Sequence, residues 1–354
     1  MKTEVSRVKV FLTGGTGFIG QSLAKALIAR GWNVTVLVRR PDGPQARTLG
    51  NRGARCVKGD VTERESMRSA MAGADIVIHN AGQYEYGLNA EGRRRMHAVN
   101  VLGTDSVLDL ARELRVQRTV YVSTVQAFGD SGPRMRDETF ERQAPCRTWY
   151  EQTKTDAHAI ARGYQQRGLP LIIVCPNGVI GPNDHSALGY FLRMYLNRML
   201  PPVSWAGGTM FSFVHVDDLA GGIVLAAEKG RPGETYLLAG EPRSLREHLG
   251  FWAMRPGAYK VRLWLPAALM SALFWPLEPL QRLAGLPALM SRETVRGAAT
   301  NLNYSSEKAK QELGWKHRSA EEMWLGTIDG ELELMKKRKK RTLSFLLNPL
   351  DPEG

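Results

Sequence analysis

Cysteine is scarce in this chain of 354 residues, and its three cysteines, Cys56, Cys146 and Cys175, lie far apart in the sequence. An odd, scattered set excludes a disulfide framework and a zinc site built on thiolates. The N-terminal stretch MKTEVSRVKVFLTGG also lacks the apolar core of a secretory signal. We therefore expect a reduced, cytoplasmic protein without a bound metal.

Long hydrophobic runs are lacking as well. One candidate, LWLPAALMSALFW at 263–275, has 13 residues before Pro276 and Glu278, whereas a membrane-spanning helix needs about 20. We interpret this stretch as a buried or cleft-lining helix, and contact with a membrane surface is the alternative.

Acidic residues are too few to balance the basic ones, and the net charge is +13. Six positive charges form one run, KKRKKR at 336–341, so the rest of the chain carries 13 − 6 = +7. The run is either a solvated tail or part of a peripheral membrane contact through 336–347, where TLSFLL follows it. Nucleic acid is not an expected partner, because no recognition module accompanies the run.

Over the first part of the chain, short apolar runs alternate with amphipathic helix-like segments. This alternation predicts an α/β fold, a doubly wound parallel sheet covered by helices on both faces. The predicted sheet domain comprises 1–176 and 215–240. A smaller, mainly helical C-terminal lobe for substrate comprises 177–214 and 241–330, followed by a basic tail at 331–354.

A glycine-rich stretch, TGGTGFIG at 13–20, joins the first strand-like segment to the first helix-like one. Glycine at this turn lets the backbone approach a pyrophosphate, which the helix N-terminus then stabilises. The position predicts a dinucleotide site in a Rossmann-type sheet, and a purely structural turn is the alternative. The predicted cofactor contacts here are Gly14, Thr16, Gly17, Phe18, Ile19 and Gly20.

The end of the second strand predicts which nicotinamide cofactor binds. An acidic residue there suits the ribose of NAD, whereas arginine suits the 2′-phosphate of NADP. This strand ends in Val38, followed by Arg39 and Arg40, so we expect NADP(H), with NAD(H) as the alternative. Asp60, with Val61 beside it, is placed either to accept from the adenine amino group or to cap a turn.

Two further strands end in residues suited to a ligand site, because ligands collect at the carboxyl ends of parallel strands. Asn80, Ala81 and Gly82 end the fourth strand and are predicted to line the cofactor path. The fifth strand ends in Ser123 and Thr124, which carry hydroxyl groups. A hydroxyl here can hold and polarise a substrate oxygen.

Tyr150 follows Thr124 by 26 residues, and Lys154 comes one helical turn later. Hydride transfer to a carbonyl leaves an alkoxide that a tyrosine can protonate, and a nearby ammonium lowers the tyrosine pKa from about 10 toward neutrality. The same spacing recurs at Tyr304 and Lys308, but no hydroxyl-ended strand precedes that copy. We expect chemistry only at Tyr150.

These motifs together resemble the extended short-chain dehydrogenases/reductases, the NAD(P)-dependent epimerase/dehydratase superfamily. The resemblance covers about residues 1–240 and is closest to dihydroflavonol-reductase-like and 3β-hydroxysteroid-dehydrogenase-like members, with the hopanoid-associated branch also similar. The matching segments, in family order, are TGGTGFIG (13–20), GD (59–60), HNAG (79–82), NVLGT (100–104), YVSTVQAFGD (121–130), YEQTK (150–154), CPNGVIGP (175–182) and FVHVDDLA (213–220).

The resemblance implies roles for the matching residues. Tyr150 would be the acid/base, Lys154 would tune it and bind the nicotinamide ribose, and Thr124 would hold the substrate, with Ser123 as the fallback. Asn100 would shape the active-site helix and join a water relay. Around the nicotinamide carboxamide, the resemblance places Pro176, Asn177 and Val179.

Substrate contacts are predicted at Gln83, Tyr84, Tyr86 and His185, in addition to Thr124. Together with a C-terminal segment rich in Trp, Leu and Met, they favour an apolar, polycyclic ketone, aldehyde or alcohol. The alternative is that Trp252, Trp264 and Trp275 belong only to the core. The alternatives are a nucleotide-sugar epimerase or dehydratase with tightly bound cofactor, and a non-catalytic NADP-binding assembly protein. The resemblance also implies a homodimer.

Overall fold

The apolar runs of the sequence form parallel strands in the computed structural model, which describes residues 7–255, 257–283 and 289–339. The strands are β1 (Lys9–Thr13), β2 (Asn33–Val38), β3 (Arg55–Lys58), β4 (Ile76–His79), β5 (Arg118–Val122), β6 (Leu171–Pro176), β7 (Val179–Ile180), β8 (Val203–Trp205), β9 (Met210–Phe211), β10 (Val214–His215), β11 (Thr235–Leu238), β12 (Arg243–Ser244) and β13 (Leu263–Leu265). Seven of them form one sheet in the order β11-β6-β5-β4-β1-β2-β3. The strand order reverses between β1 and β4, which is where ligands bind in such sheets.

The helices lie on both faces of this sheet and in the C-terminal region. They are α1 (Phe18–Ala29), α2 (Pro44–Asn51), α3 (Arg64–Met71), α4 (Ala90–His97), α5 (Gly103–Glu113), α6 (Trp149–Gln166), α7 (Ala187–Leu196), α8 (Val216–Lys229), α9 (Leu245–Trp252), α10 (Ala267–Phe274), α11 (Leu277–Leu283), α12 (Arg292–Ala298), α13 (Glu307–Leu313) and α14 (Ala320–Lys339). A π-helical turn, Ala98–Leu102, joins α4 to α5, and a 3₁₀ turn, Val125–Ala127, follows β5.

Two apolar cores cover the two faces of the sheet. Successive residues of β1 alternate between them, because side chains of a strand point to opposite faces. Val10 and Leu12 pack in a core with α1 and α8, whereas Phe11 packs in a core with α5 and α6. The predicted doubly wound, Rossmann-type sheet is therefore confirmed.

The C-terminal region is mainly helical, with three short strand pairs. β7 pairs with β10, β8 with β13 and β9 with β12. A separate small core, in which Met270 and Phe274 of α10 meet Val295 of α12, holds this region together. Among the described residues, no helix combines the length and the apolar character that crossing a membrane requires.

The last helix continues past residue 330, where the sequence predicted the start of a tail. Glu331 of α14 is fully buried. It pairs with Arg193 of α7 at 3.1 Å and accepts a hydrogen bond from the backbone N–H of Asn183 at 2.6 Å. These contacts fix α14 against the folded body at Glu331. Of the predicted membrane contact at 336–347, residues 340–347 lie outside the described part of the chain.

Removing the cation from this buried pair should destabilise the protein strongly. Arg193→Met leaves Glu331 buried without its partner, a change that costs about 3–5 kcal/mol. Arg112→Met is the matched control, since it removes an exposed pair with Asp109 at 2.9 Å that contributes at most about 1 kcal/mol. Urea unfolding measures both variants, and equal losses would contradict a structural role for the buried pair.

Candidate active site

Close backbone approach explains two of the three predicted glycines. Gly14 has a φ of 70°, and a Cβ there would lie 2.6 Å from the backbone nitrogen of Ala81. A Cβ on Gly20 would lie 2.0 Å from the carbonyl oxygen of Gly14. At Gly17, by contrast, the nearest atom is 3.5 Å away, so this position borders open space at the start of α1.

The groups around this turn fit a dinucleotide pyrophosphate. α1 begins without a side-chain cap and without an acidic residue in its first turn, so its N–H groups can bind an anion. Asn80 donates to the carbonyl of Gly14 at 3.2 Å, while its buried Oδ1 has no partner among the described residues. Thr16, Phe18 and Ile19 are half-buried beside the turn.

The other residues that end β4 also border the turn. The backbone N–H of Ala81 donates to the hydroxyl of Thr13 at 3.2 Å. Gly82 lies beside Asn100, whose Oδ1 would be 3.5 Å from a Cβ added at this glycine. The predicted cofactor path at 80–82 therefore runs along the switch point of the sheet.

A basic cleft lies at the ends of β2 and β3. Arg39 and Arg40 line it together with Asp42 and with Lys58 of the neighbouring strand. Sequence reasoning missed Lys58, because it depends on the pairing of β3 with β2 that sets Lys58 opposite Val38. The cleft therefore combines three basic side chains with one acidic side chain.

Asp60 serves a turn in this structure. Its Oδ1 accepts hydrogen bonds from the backbone N–H of Thr62 at 2.9 Å and from the Thr62 hydroxyl at 2.8 Å. The neighbouring Val61 is buried, and its side chain lies where a Cβ on Gly103 would meet it at 2.8 Å. The turn-capping interpretation of Asp60 thus accounts for one of its two carboxylate oxygens.

Tyr150 lies in the first turn of α6, which the Thr148 side chain caps by accepting from the N–H of Glu151. Burial is the main cause that raises the pKa of Tyr150 to about 12, and the ammonium group of Lys154 and the Thr124 hydroxyl act against it and favour the phenolate. The three predicted catalytic residues are therefore close enough to influence one another electrostatically.

Lys154 is buried, and it donates to neutral groups of β5. Its Nζ lies 3.1 Å from the carbonyl of Val122 and 3.2 Å from the hydroxyl of Tyr121. Burial lowers the pKa of Lys154, and the neighbouring Tyr150 acts to raise it. Since an ammonium has three donors, one remains after these two contacts.

Only one of the two hydroxyls after β5 faces Tyr150. Thr124 donates to the carbonyl of Pro176 at 3.4 Å and influences the Tyr150 phenol. Ser123 instead contacts Nδ1 of His158 at 2.9 Å, because successive residues of an extended chain point to opposite sides. The geometry favours Thr124 over its fallback.

Arg142 is a residue of this site that the sequence analysis missed. Its guanidinium pairs with Glu151 of α6 at 2.6 Å, contacts the Thr155 hydroxyl at 3.1 Å, and also donates to the carbonyl of Gln126. It therefore ties the turn after Thr124 to the helix that carries Tyr150. No local sequence pattern around Arg142 predicts this role.

Asn100 lies in the π-helical turn, a feature that is frequent at functional sites. Its Oδ1 accepts from the backbone N–H of Gln83 at 2.7 Å, and its Nδ2 donates to the Gln83 carbonyl and to the Thr153 hydroxyl, each at 3.0 Å. The side chain of Asn100 thereby fixes the loop after β4 to α6, which is a positioning contact, and the expected water relay stays a prediction.

The predicted substrate tyrosines lie against Tyr150. The rings of Tyr84 and Tyr150 are perpendicular with centroids 4.6 Å apart, and Tyr86 is 5.3 Å from Tyr84. The Tyr86 hydroxyl lies against Gly297 of α12, where a Cβ would be only 2.9 Å from it. An aromatic wall therefore lies beside the reactive phenol.

Glu293 of α12 connects the C-terminal region to this wall. It accepts hydrogen bonds from the backbone N–H of Gly87 at 2.7 Å and from that of Trp149, the first residue of α6, at 3.2 Å. The same carboxylate thus holds the loop after β4 that carries Gln83, Tyr84 and Tyr86 (the substrate loop), and it caps the N-terminus of α6. Sequence reasoning missed it because its partners are distant in the chain.

The remaining predicted contacts lie after β6. Asn177 is buried and donates to the carbonyl of Leu302 at 2.7 Å, and Val179 begins β7. His185 is exposed before α7, where it contacts the side chain of Asn183 at 3.4 Å. The segment from Pro176 to Val179 thus leaves the sheet directly beside Thr124.

The second Tyr-x-x-x-Lys copy has structural contacts. Tyr304 is buried and donates to the carbonyl of Gly129 at 2.7 Å. Lys308 pairs with Glu234 at 2.6 Å. Since α13 begins at Glu307, Tyr304 precedes the helix and the two residues do not share a helical turn.

The chain is similar to proteins of known family. The model of the NAD dependent epimerase/dehydratase family matches residues 10–239. A 4-hydroxy-2-methyl-3-oxo-4-farnesyl-3,4-dihydroquinoline-1-oxide ketoreductase of Stigmatella aurantiaca is 31% identical over 333 residues, 91% of this chain and 96% of the relative. A putative dihydroflavonol 4-reductase of Synechocystis sp. is 32% identical over 318 residues, 86% and 89% respectively. The crystal structure of gox2253 has a TM-score of 0.77 at 28% identity and covers 93% of this chain and 99% of that one.

Two glycine variants separate the fold of the turn from its binding role. Gly20→Ala drives a methyl into the Gly14 carbonyl and should cost about 1–3 kcal/mol of stability. Gly17→Ala should melt like the wild type but weaken NADP⁺ binding about tenfold, since its methyl enters the space in front of the α1 N-terminus. Thermal melts and fluorescence titration measure both. Unchanged NADP⁺ affinity in Gly17→Ala would place the pyrophosphate elsewhere.

Proposed function

The chain belongs to the NAD dependent epimerase/dehydratase family, and on this premise we propose that it is an NADP(H)-dependent oxidoreductase that interconverts a ketone or aldehyde and an alcohol on an apolar substrate with a ring system. One observation carries the proposal. Tyr150 lies in the first turn of α6, and Lys154, one turn later, is buried with its ammonium group on the Val122 carbonyl at the end of β5, two residues before Thr124. Both Lys154 and the Thr124 hydroxyl act to lower the pKa of Tyr150. That combination suits proton exchange with an oxygen whose carbon gains or loses a hydride.

The proposed mechanism assigns one task to each residue. The nicotinamide, when bound, supplies or accepts the hydride. The hydroxyls of Thr124 and Tyr150 hold the substrate oxygen, and Tyr150 gives it a proton during reduction and takes one back during oxidation. Lys154 makes this exchange feasible, because its charge opposes the rise in the Tyr150 pKa that burial causes.

The chain's own groups account for binding of the dinucleotide. The glycine turn and the N-terminus of α1 would hold the pyrophosphate, with the unpaired Oδ1 of Asn80 beside it. The third proton of Lys154 would bind a ribose hydroxyl. The backbone from Pro176 to Val179 would border the carboxamide.

The basic cleft supports the preference for NADP(H). Arg39 and Lys58 line this space, and Asp42 is the one acid among its described lining residues. A 2′-phosphate would pair with the guanidinium of Arg39 and the ammonium of Lys58, and arginine binds phosphate through two parallel hydrogen bonds. A ribose without this phosphate offers the cleft no anion.

The aromatic wall supports an apolar substrate. Tyr84 is 43% exposed and borders Tyr150, so its ring can cover a flat apolar group next to the reacting oxygen. The similar protein of Stigmatella aurantiaca is named for a ketone substrate that carries a farnesyl group. We extend that class, an apolar ketone on a ring system, to this chain.

A nucleotide-sugar epimerase or dehydratase is the rival, since the family name covers these activities as well. Such an enzyme regenerates its bound cofactor in each turnover, whereas a reductase consumes it. Steady oxidation of added NADPH with a panel of apolar ketones supports the reductase. Tightly retained cofactor with turnover of a UDP-sugar would overturn it. Dimerisation and contact through the basic tail stay predictions.

Substitution of the reactive phenol tests the mechanism. Tyr150→Phe should lower kcat for ketone reduction about a hundredfold to ten-thousandfold, because it removes the proton donor. Tyr304→Phe is the matched control: it should lose about 1 kcal/mol of stability with its hydrogen bond to Gly129, but keep its activity. Full activity in Tyr150→Phe would contradict the enzymatic role and favour the assembly-protein alternative.

Cofactor selection is testable in the basic cleft. Lys58→Ala and Arg39→Ala should each weaken NADP⁺ binding about tenfold, the loss of one hydrogen bond to a charged group, without changing NAD⁺ affinity. Arg55→Ala, at the opposite end of β3, should change neither. Parallel titrations with both dinucleotides decide the matter, and equal losses for NAD⁺ and NADP⁺ would argue against a 2′-phosphate site.

A further inference from the structure

Two consecutive helices of the C-terminal region expose a continuous apolar surface. Leu269 and Leu273 of α10, Trp275, and Leu280 and Leu283 of α11 define this α10–α11 face, and they are 47% to 86% exposed. The smaller exposed residues among them are also apolar: Ala268, Ala272, Pro276 and Pro279. The other large exposed apolar side chains of the described chain lie on other segments: Tyr84, Leu102, Met135, Met199, Met254 and Leu263.

The opposite side of α10 is fixed to the protein. Met270 and Phe274 are buried in the small core with Val295 of α12. The ring of Phe274 packs against that of Trp205, with the ring centroids 5.4 Å apart. α10 is therefore apolar on both sides. Its outer face cannot turn inward without breaking this core. That face needs an external partner.

The charges around the face favour an anionic partner. Residues 255–283 contain four basic residues and one acidic residue, Glu278, and one of the basic residues, Arg255, is paired with Asp329. Glu278 is occupied, since it accepts from the backbone N–H of Arg292 at 2.7 Å and pairs with its guanidinium at 3.6 Å. Lys260 and Arg262 are exposed just before the face. Leucine and tryptophan bordered by basic residues is the composition of helices that lie in a membrane interface.

We propose that the α10–α11 face docks on the surface of an anionic phospholipid bilayer. Leucine dominates the face, whereas protein-binding hot spots are poor in leucine, and Trp275 is the residue type that anchors at the headgroup level. The basic residues before the face meet the negative surface potential. The bilayer is thus the partner that satisfies both the apolar area and the charge.

Docking there would also place the candidate active site near the membrane. α10 packs on α12, and α12 carries Gly297 and Glu293, which contact the substrate loop. An apolar substrate dissolved in the bilayer would then have a short path to Tyr150. This consequence rests on the proposed function, but the docking itself does not.

Vesicle flotation of the full chain tests the proposal. Vesicles of phosphatidylcholine with phosphatidylglycerol, and vesicles of phosphatidylcholine alone, separate the charge contribution from the apolar one. Leu273→Ser should lower the partition coefficient about tenfold on both, because it removes apolar area from the interface. Met135→Ser is the matched control, since Met135 is 52% exposed and Leu273 51%, and it should bind like the wild type. Both variants keep the basic run at 336–341.

Three results would overturn the proposal. The first is unchanged vesicle binding by Leu273→Ser, and the second is an equal loss in Met135→Ser. The third combines two observations: the wild type is a dimer in light scattering that Leu273→Ser converts to a monomer, and neither protein binds vesicles. That result would make the face a contact between two copies of the chain. Thermal melts within a few degrees of the wild type show that the variants are folded. NADPH oxidation is not part of this readout, so failure here leaves the proposed function intact.

Discussion

The buried ammonium group of Lys154 is the constraint on which the site depends. Burying an unpaired ammonium costs several kcal/mol, and the structure offsets this with the Val122 carbonyl and the Tyr121 hydroxyl. The ring of Tyr121 in turn stacks on that of His79, with the ring centroids 5.5 Å apart. Burial and, to a smaller extent, the charge of Lys154 lower the pKa of His79 to about 3, so the imidazole stays neutral. A charged histidine there would repel Lys154 and weaken its effect on Tyr150.

The second constraint is the position of the phenol, which depends on contacts between distant parts of the chain. Arg142 fixes α6 to the turn after Thr124. Glu293 fixes the start of the same helix to the substrate loop. The C-terminal region therefore does more than cover the sheet: through α12 it fixes the start of α6, which carries Tyr150, against the loop after β4. A ligand or surface that moves α12 would move the wall of the site.

Sequence patterns predict the parts of this site that depend on local order. Alternating apolar runs predicted the sheet, and the glycine-rich stretch predicted the turn between β1 and α1. The choice between Ser123 and Thr124 needed the direction of each side chain. Lys58 could not be predicted, because its position beside Val38 depends on the pairing of β3 with β2. Glu293 could not be predicted, because its hydrogen-bond partners lie more than a hundred residues away in the chain. Asn100 was expected in a relay, and only the structure shows its hydrogen bonds to Gln83.

The two Tyr-x-x-x-Lys copies show why spacing alone does not define chemistry. Both tyrosines have a pKa raised by burial. The lysines differ in their partners: Lys308 is paired with the carboxylate of Glu234, so its charge is largely cancelled for any neighbour. Lys154 donates to neutral oxygens in the described structure, and its charge acts on the phenol one helical turn away to lower the pKa of Tyr150. The acid/base role proposed for Tyr150 therefore depends on a lysine that no carboxylate neutralises in the described structure.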